Sequence, residues 1–264
     1  MAELTVKDID ESKIDEAFRV CSHGKLDNPL QMEGMELRRR WLRKMIRGYG
    51  SCVKIAYIGE KPVAQLQFYP EGAVPFIPRP REGVVLLECV YNPFEEARGK
   101  GASTSLMKSL IDECRTSPKI LDGGKCSFIA AEPFNTGEGT PMERFYTVNG
   151  FERNGDEMIY KINGAYTPPA KPTWSPNNQD EETATILFNP TCEYSYTSAT
   201  RVRDAIKSLY PALPVELINR WEKPETSMRL ANHWLVVNGT PIKIGLKEGE
   251  AFIQEIRQAV EKSR

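Results

Sequence analysis

Residues 86–111 read LLECVYNPFEEARGKGASTSLMKSLI, and the way this stretch divides decides the fold. An apolar run through Val90 gives way to a polar loop. A turn at Gly99, Lys100 and Gly101 then opens a segment in which Leu106, Met107, Leu110, Ile111 and Cys114 recur at helical spacing. The pattern predicts a buried strand, a loop and an amphipathic helix. The first amide N–H groups of a helix have no carbonyl partners, and the helix dipole adds partial positive charge at the same end. Gly99 and Gly101 carry no side chains, so an anion can reach the backbone there, and Arg98 and Lys100 add formal charge. A diphosphate suits such a turn.

Two familiar diphosphate motifs are absent. The P-loop pattern G-x-x-x-x-G-K-[ST] does not occur, and Thr104 stands where the dinucleotide pattern G-x-G-x-x-G needs its third glycine. The segment instead resembles the signature of the GNAT acetyltransferase superfamily, R-x-x-G-x-G/A. Arg98 and Gly101 match it, and Ser103 takes the last position. The loop before Arg98 is somewhat longer than the family's. Downstream, Phe145-Tyr146-Thr147-Val148-Asn149-Gly150-Phe151 resembles the family segment F-Y-x-x-x-G-F, a helix ending in glycine before a final strand. The two segments follow in the family's order, and the resemblance covers roughly residues 1–163.

That resemblance implies an α/β (α+β) domain with the GNAT acyl-CoA N-acyltransferase fold and a mixed central sheet. It implies acetyl-CoA as cofactor, and transfer of its acetyl group to an amine by direct attack. The contacts it implies to CoA run from Arg98 through Gly99, Lys100, Gly101 and Ala102 to Ser103. Backbone near Cys89 and Val90 would polarise the acetyl carbonyl, and Asn135 would stand before the helix carrying Tyr146. Tyr146 itself would lie near the CoA sulfur and act as acid.

Glu88 is the candidate base. In an alternating strand Leu86, Glu88 and Val90 share a face, and a carboxylate on an otherwise apolar strip should have a raised pKa. A glutamate merely sitting at a sheet rim is the alternative.

Outward from this core, Ser12 with Asp15 predicts a capping box for a helix to Cys21. A second helix covers about residues 33–47, with Leu37, Trp41, Leu42 and Met45 on one side. Its basic residues Arg38, Arg39, Arg40, Arg43, Lys44 and Arg47 should face water. SCVKIAYIGEKPVAQLQFYP reads as a hairpin turned at Gly59-Glu60-Lys61. Helices and strands alternate throughout.

Residues 163–183 are rich in proline, asparagine and acids, so 164–183 read as a linker. They separate a domain over 1–163 from a smaller one over 184–264. In the latter, a strand, a helix from about Cys192 to Leu209, a second strand, a hairpin turned by Asn238-Gly239 and a closing helix follow in order. The order βαβ–ββα matches a small thioredoxin-like layer; residues 222–232 stay unassigned. The segment resembles the YoaP-like domain found after some GNAT domains. Cys192-Glu193-Tyr194-Ser195 reads C-x-x-S at a strand–helix junction, where the helix dipole favours thiolate. The thioredoxin-like layout would bring His233 near that thiol, although Asn232-His233 offers no cis-proline. A possible thiol site at Cys192, Ser195 and His233 therefore stands beside a buried structural cysteine.

The 264 residues carry a formal net charge of -1, so no global field attracts nucleic acid or an anionic membrane. No apolar run approaches the roughly 18–20 residues of a membrane span. The first residues lack the regions of a signal peptide. Six cysteines without a C-x-x-C pair suggest reduced thiols and a cytoplasmic protein, and two histidines make a poor zinc site. The expected partner is a small-molecule or peptide amine; which amine, and the oligomeric state, are not readable. Two rivals stay open: a thiol-redox protein using Cys192, and a non-catalytic CoA-binding module.

Overall fold

In the computed structural model, which describes residues 3–116, 118–134 and 140–262, β1 (Leu4–Asp8) pairs antiparallel with β2 (Val53–Ile58). β2 turns at Gly59 and Glu60 into β3 (Lys61–Pro70), as the flanking β-rich runs predict. β3 pairs antiparallel with β4 (Val84–Tyr91). β4 lies parallel to β5 (Phe128–Ala131). β6 (Glu152–Asn154) and β7 (Glu157–Lys161) complete a seven-stranded mixed sheet of order β1-β2-β3-β4-β5-β7-β6. The helices of this region are α1 (Ile14–Cys21), α2 (Pro29–Tyr49), α3 (Ala102–Arg115) and α4 (Met142–Val148). Parallel neighbours need a long crossover, and α3 supplies it between β4 and β5.

The chain divides into two compact units. The first comprises Met1–Asp27, Arg39–Ala73 and Pro80–Pro169; the second comprises Asn28–Arg38, Val74–Arg79 and Ala170–Arg264. The first part of α2 thus groups with the C-terminal residues. In the second unit β8 (Ala184–Phe188) leads through α5 (Glu193–Leu209) to β9 (Val215–Asn219), parallel to β8. After α6 (Pro224–Arg229), β10 (Leu235–Val237) and β11 (Thr240–Pro241) form a hairpin, and α7 (Glu250–Glu261) closes the unit. The sheet order is β11-β10-β8-β9. Asn238 and Gly239 both hold positive φ, +46° and +69°, as a two-residue hairpin of the I′ type demands. Ile186, Phe188, Val202, Ile206, Leu235, Phe252 and Ile256 build the core between this sheet and its helices.

Several expectations need correction. The first helix is not capped by Ser12 with Asp15. Asp10 caps a 3-10 turn over Glu11–Lys13 instead, accepting from the Ser12 amide at 2.9 Å. α2 begins four residues earlier than predicted, because Pro29 takes its first position and the Asn28 side chain accepts from the Gln31 amide at 3.1 Å.

The basic face of α2 is also not uniformly solvated. Arg38 is 1% exposed and its guanidinium donates to the Glu193 carboxylate at 2.8 Å, both side chains being sealed from water. Gly34 makes that approach possible, since a methyl group there would stand 2.4 Å from the Glu193 carbonyl oxygen.

The unassigned residues 222–232 contain α6, started by Pro224. Within 164–183, Trp174 bridges Leu230, and a 3-10 turn over Asn178–Glu182 brings Asp180 onto Arg229. The end of the expected linker is therefore part of the second unit. Among the described residues no helix is long and apolar enough to cross a membrane.

Candidate functional site

The site in the first unit is built where two strands stop pairing. The parallel ladder between β4 and β5 runs from Val84↔Phe128 to Leu87↔Ala131 and ends there. β4 continues to Tyr91 beside β3 alone, with Leu66↔Val90 and Gln65↔Tyr91 in register. At the same level the β3–β4 register slips, from Phe68↔Leu87 to Gln67↔Cys89, which leaves Glu88 as the extra residue of a β-bulge. A bulge bends its strand and re-aims side chains. Leu86, Glu88 and Val90 therefore do not form the plain alternating strip that the sequence suggested. Glu88, Cys89 and Val90 are all half-buried along the stretch of β4 that β5 leaves uncovered.

After Tyr91 the Asn92 side chain accepts from the Phe94 amide, and a 3-10 turn over Glu95–Ala97 tucks Phe94 and Ala97 into the core. Arg98 is extended, Gly99 sits at φ +71°, and Gly101 at φ +79° caps α3. Only glycine adopts such angles without strain. Space is open in front of both, since a methyl at either position would meet nothing within 4 Å. The first intrahelical bond of α3 joins the Ser105 amide to the Gly101 carbonyl at 2.8 Å. The preceding amides of Gly101, Ala102, Ser103 and Thr104 find no acceptor among the described residues. The exposed side chains of Arg98 and Lys100 lie next to these amides in the chain, and free amides at a helix start are groups that bind anions. Ala102, Leu106, Met107, Leu110, Ile111 and Cys114 pin the helix to the sheet.

Tyr146 enters from α4. It is fully buried, with its ring among Phe145 and Phe151, and its hydroxyl has no hydrogen-bond partner among the described residues. Burial pushes the phenol well above its ordinary pKa, and the nearby Cys89 and Glu88 add to the shift by their negative charge. The proton therefore stays on Tyr146, available as a donor. Tyr146 thus lies within electrostatic reach of Cys89 and Glu88. Glu88 has a neighbour that sequence reading missed: the Tyr69 hydroxyl donates to its carboxylate at 2.5 Å. Asn135 lies outside the described residues.

In the second unit Cys192 occupies the position before α5, in extended backbone and half-buried. The Ser195 hydroxyl accepts from the Asn189 amide at 2.9 Å, and Asn189 also accepts from the Trp221 indole at 2.8 Å. The His233 ring stands edge-on to Trp174, with centroids 5.4 Å apart, and Ala231 and Asn232 before it both take positive φ, +48° and +59°. A separate cleft of about 480 Å³ in this unit is lined by Asp180, Glu216, Lys223 and Arg229 among others, with Asp180 and Arg229 paired.

No protein-family model matches the sequence, and no curated protein matches it. Solved structures do. The chain is similar to Ard1 from Thermoplasma volcanium, at 12% identity and a TM-score of 0.42 over 60% of this chain and 97% of that one. It is similar to a GNAT family acetyltransferase from Brucella melitensis in complex with acetyl-CoA, at 12% identity and a TM-score of 0.42 over 64% and 94%. A third likeness is to an acetyltransferase from Thermus thermophilus, at 14% identity and a TM-score of 0.40 over 61% and 100%. Likenesses of this depth do not fix an activity.

Proposed function

We propose that the first unit is an N-acetyltransferase of the GNAT type, using acetyl-CoA as cosubstrate and an amine as acceptor. The observation that carries this reading is the buried hydroxyl of Tyr146, without a hydrogen-bond partner among the described residues, within electrostatic reach of Glu88 and Cys89 on β4. Such a group costs free energy unless a ligand completes it. The open amide cradle of α3 lies one loop further along the chain and suits the pyrophosphate of CoA, with Arg98 and Lys100 beside it. The acyl arm would follow β4 past Val90 and Cys89.

In this reading the amine nitrogen attacks the thioester carbonyl carbon. A C–N bond forms and the C–S bond breaks, giving an amide and CoA thiol. Glu88 receives the proton from the attacking nitrogen, directly or through water. Tyr146 presents its hydroxyl to the departing sulfur, and backbone groups near Val90 face the developing oxyanion. Asn135 belongs to the same reading as a CoA contact.

The second unit fits a thioredoxin-like layer of YoaP-like type, supported by its βαβ–ββα order and by a thiol heading α5. Six free cysteines fit a cytoplasmic location.

The test is release of CoA thiol from acetyl-CoA with a panel of polyamines, amino acids, aminoglycosides and short peptides. Glu88→Gln and Tyr146→Phe should each lower kcat by about 10²-fold, the usual scale for one acid–base group, with CoA affinity changed less than about threefold. Cys192→Ser should leave turnover intact. Tight CoA binding without turnover on any amine would instead make the unit a binding module. Loss of turnover in Cys192→Ser would favour the thiol reading.

A further inference from the structure

We infer that Tyr69 is a positioning residue for Glu88, holding the general base by one carboxylate oxygen at the β4 bulge; the inference rests on the acetyltransferase reading. Tyr69 lies on β3 opposite Leu86, two residues before Glu88. It is 3% exposed, and its ring is braced edge-on against Trp41 with centroids 5.6 Å apart. The hydroxyl reaches Glu88 Oε2 at 2.5 Å, in the range of a charge-assisted O–H···O⁻ bond.

The logic is mechanical. A bulged residue has no strand partner opposite it, so the ladder alone does not fix where its side chain points. A rigid donor on the neighbouring strand does. Catalytic groups held to within about 0.5 Å need such support from packed neighbours. Tyr69 donates to Glu88 from β3 and is anchored by its aromatic contact with Trp41.

Tyr69→Phe removes the hydroxyl and keeps the ring against Trp41. Acetyl-CoA is paired with whichever of spermidine, L-lysine or a short N-terminal peptide the wild-type chain turns over best. With that pair the variant should lose about tenfold in kcat. KM for acetyl-CoA should stay within about twofold. In a Glu88→Gln background the same change should cost less than about a further twofold, because both substitutions then remove one function. An unchanged kcat, or a loss that multiplies onto Glu88→Gln, overturns the inference and leaves the acetyltransferase reading standing. No transfer by the wild-type chain to any amine overturns that reading, and this inference with it.

Discussion

Gly101→Val is expected to weaken CoA binding about 100-fold, roughly 2.7 kcal/mol, while the circular dichroism spectrum stays that of the native chain. Two effects combine. Gly101 holds φ +79°, which a β-branched residue adopts only with strain, so the turn must re-form. The added side chain also projects into the open space before the helix, where nothing of the protein stands within 4 Å. The fold survives because α3 is held by its buried stripe from Leu106 to Cys114, one turn away. Gly101→Ala adds one methyl group and should lose about tenfold. Equal affinity in wild type and Gly101→Val, measured by calorimetry, would remove the cradle from the binding site.

The second large effect is on stability. Arg38→Met should destabilise the second unit by about 3–5 kcal/mol, because it leaves the Glu193 carboxylate buried without its countercharge. Faster hydrogen exchange in α5 and β8, beside the lost pair, would report it. The double variant Arg38→Met, Glu193→Leu should recover most of the loss, since apolar replacements of a buried pair are often neutral or stabilising. Exchange unchanged in the single variant would show that the pair contributes nothing. The pair follows from helical spacing. Gln31, Gly34, Met35, Arg38, Trp41, Leu42 and Met45 are all buried and fall on one stripe of α2. Periodicity alone puts Arg38 inside; its charge argues for water, and a carboxylate 155 residues away decides the matter.

That contrast shows what the sequence makes legible. The hairpin at Gly59-Glu60, the buried stripe of α3, the glycine after α4 and the turn at Asn238-Gly239 rest on local chemistry, and local chemistry can be read residue by residue. The start of α2 was read four residues too late, although Asn28 followed by Pro29 marks it. β1 and α6 were harder. Leu4–Asp8 is a short, polar outer strand whose partner β2 begins 45 residues later, and Pro224 starts a helix of a single turn and a half. Within the site, the turn from Arg98 to Ser103 was legible as a glycine-containing helix start, with Gly101 capping α3. The bulge at Glu88 was not. It comes from how β3 and β4 meet, and it is what places Tyr69 on the carboxylate.

The most direct test is isothermal titration of the full chain with CoA, and separately with pantetheine, which carries the same thiol arm but no pyrophosphate. Saturable heat with CoA and at least 100-fold weaker binding of pantetheine is the expected result. No heat with CoA, or equal affinity for the two, would contradict a site built on the free amides of α3.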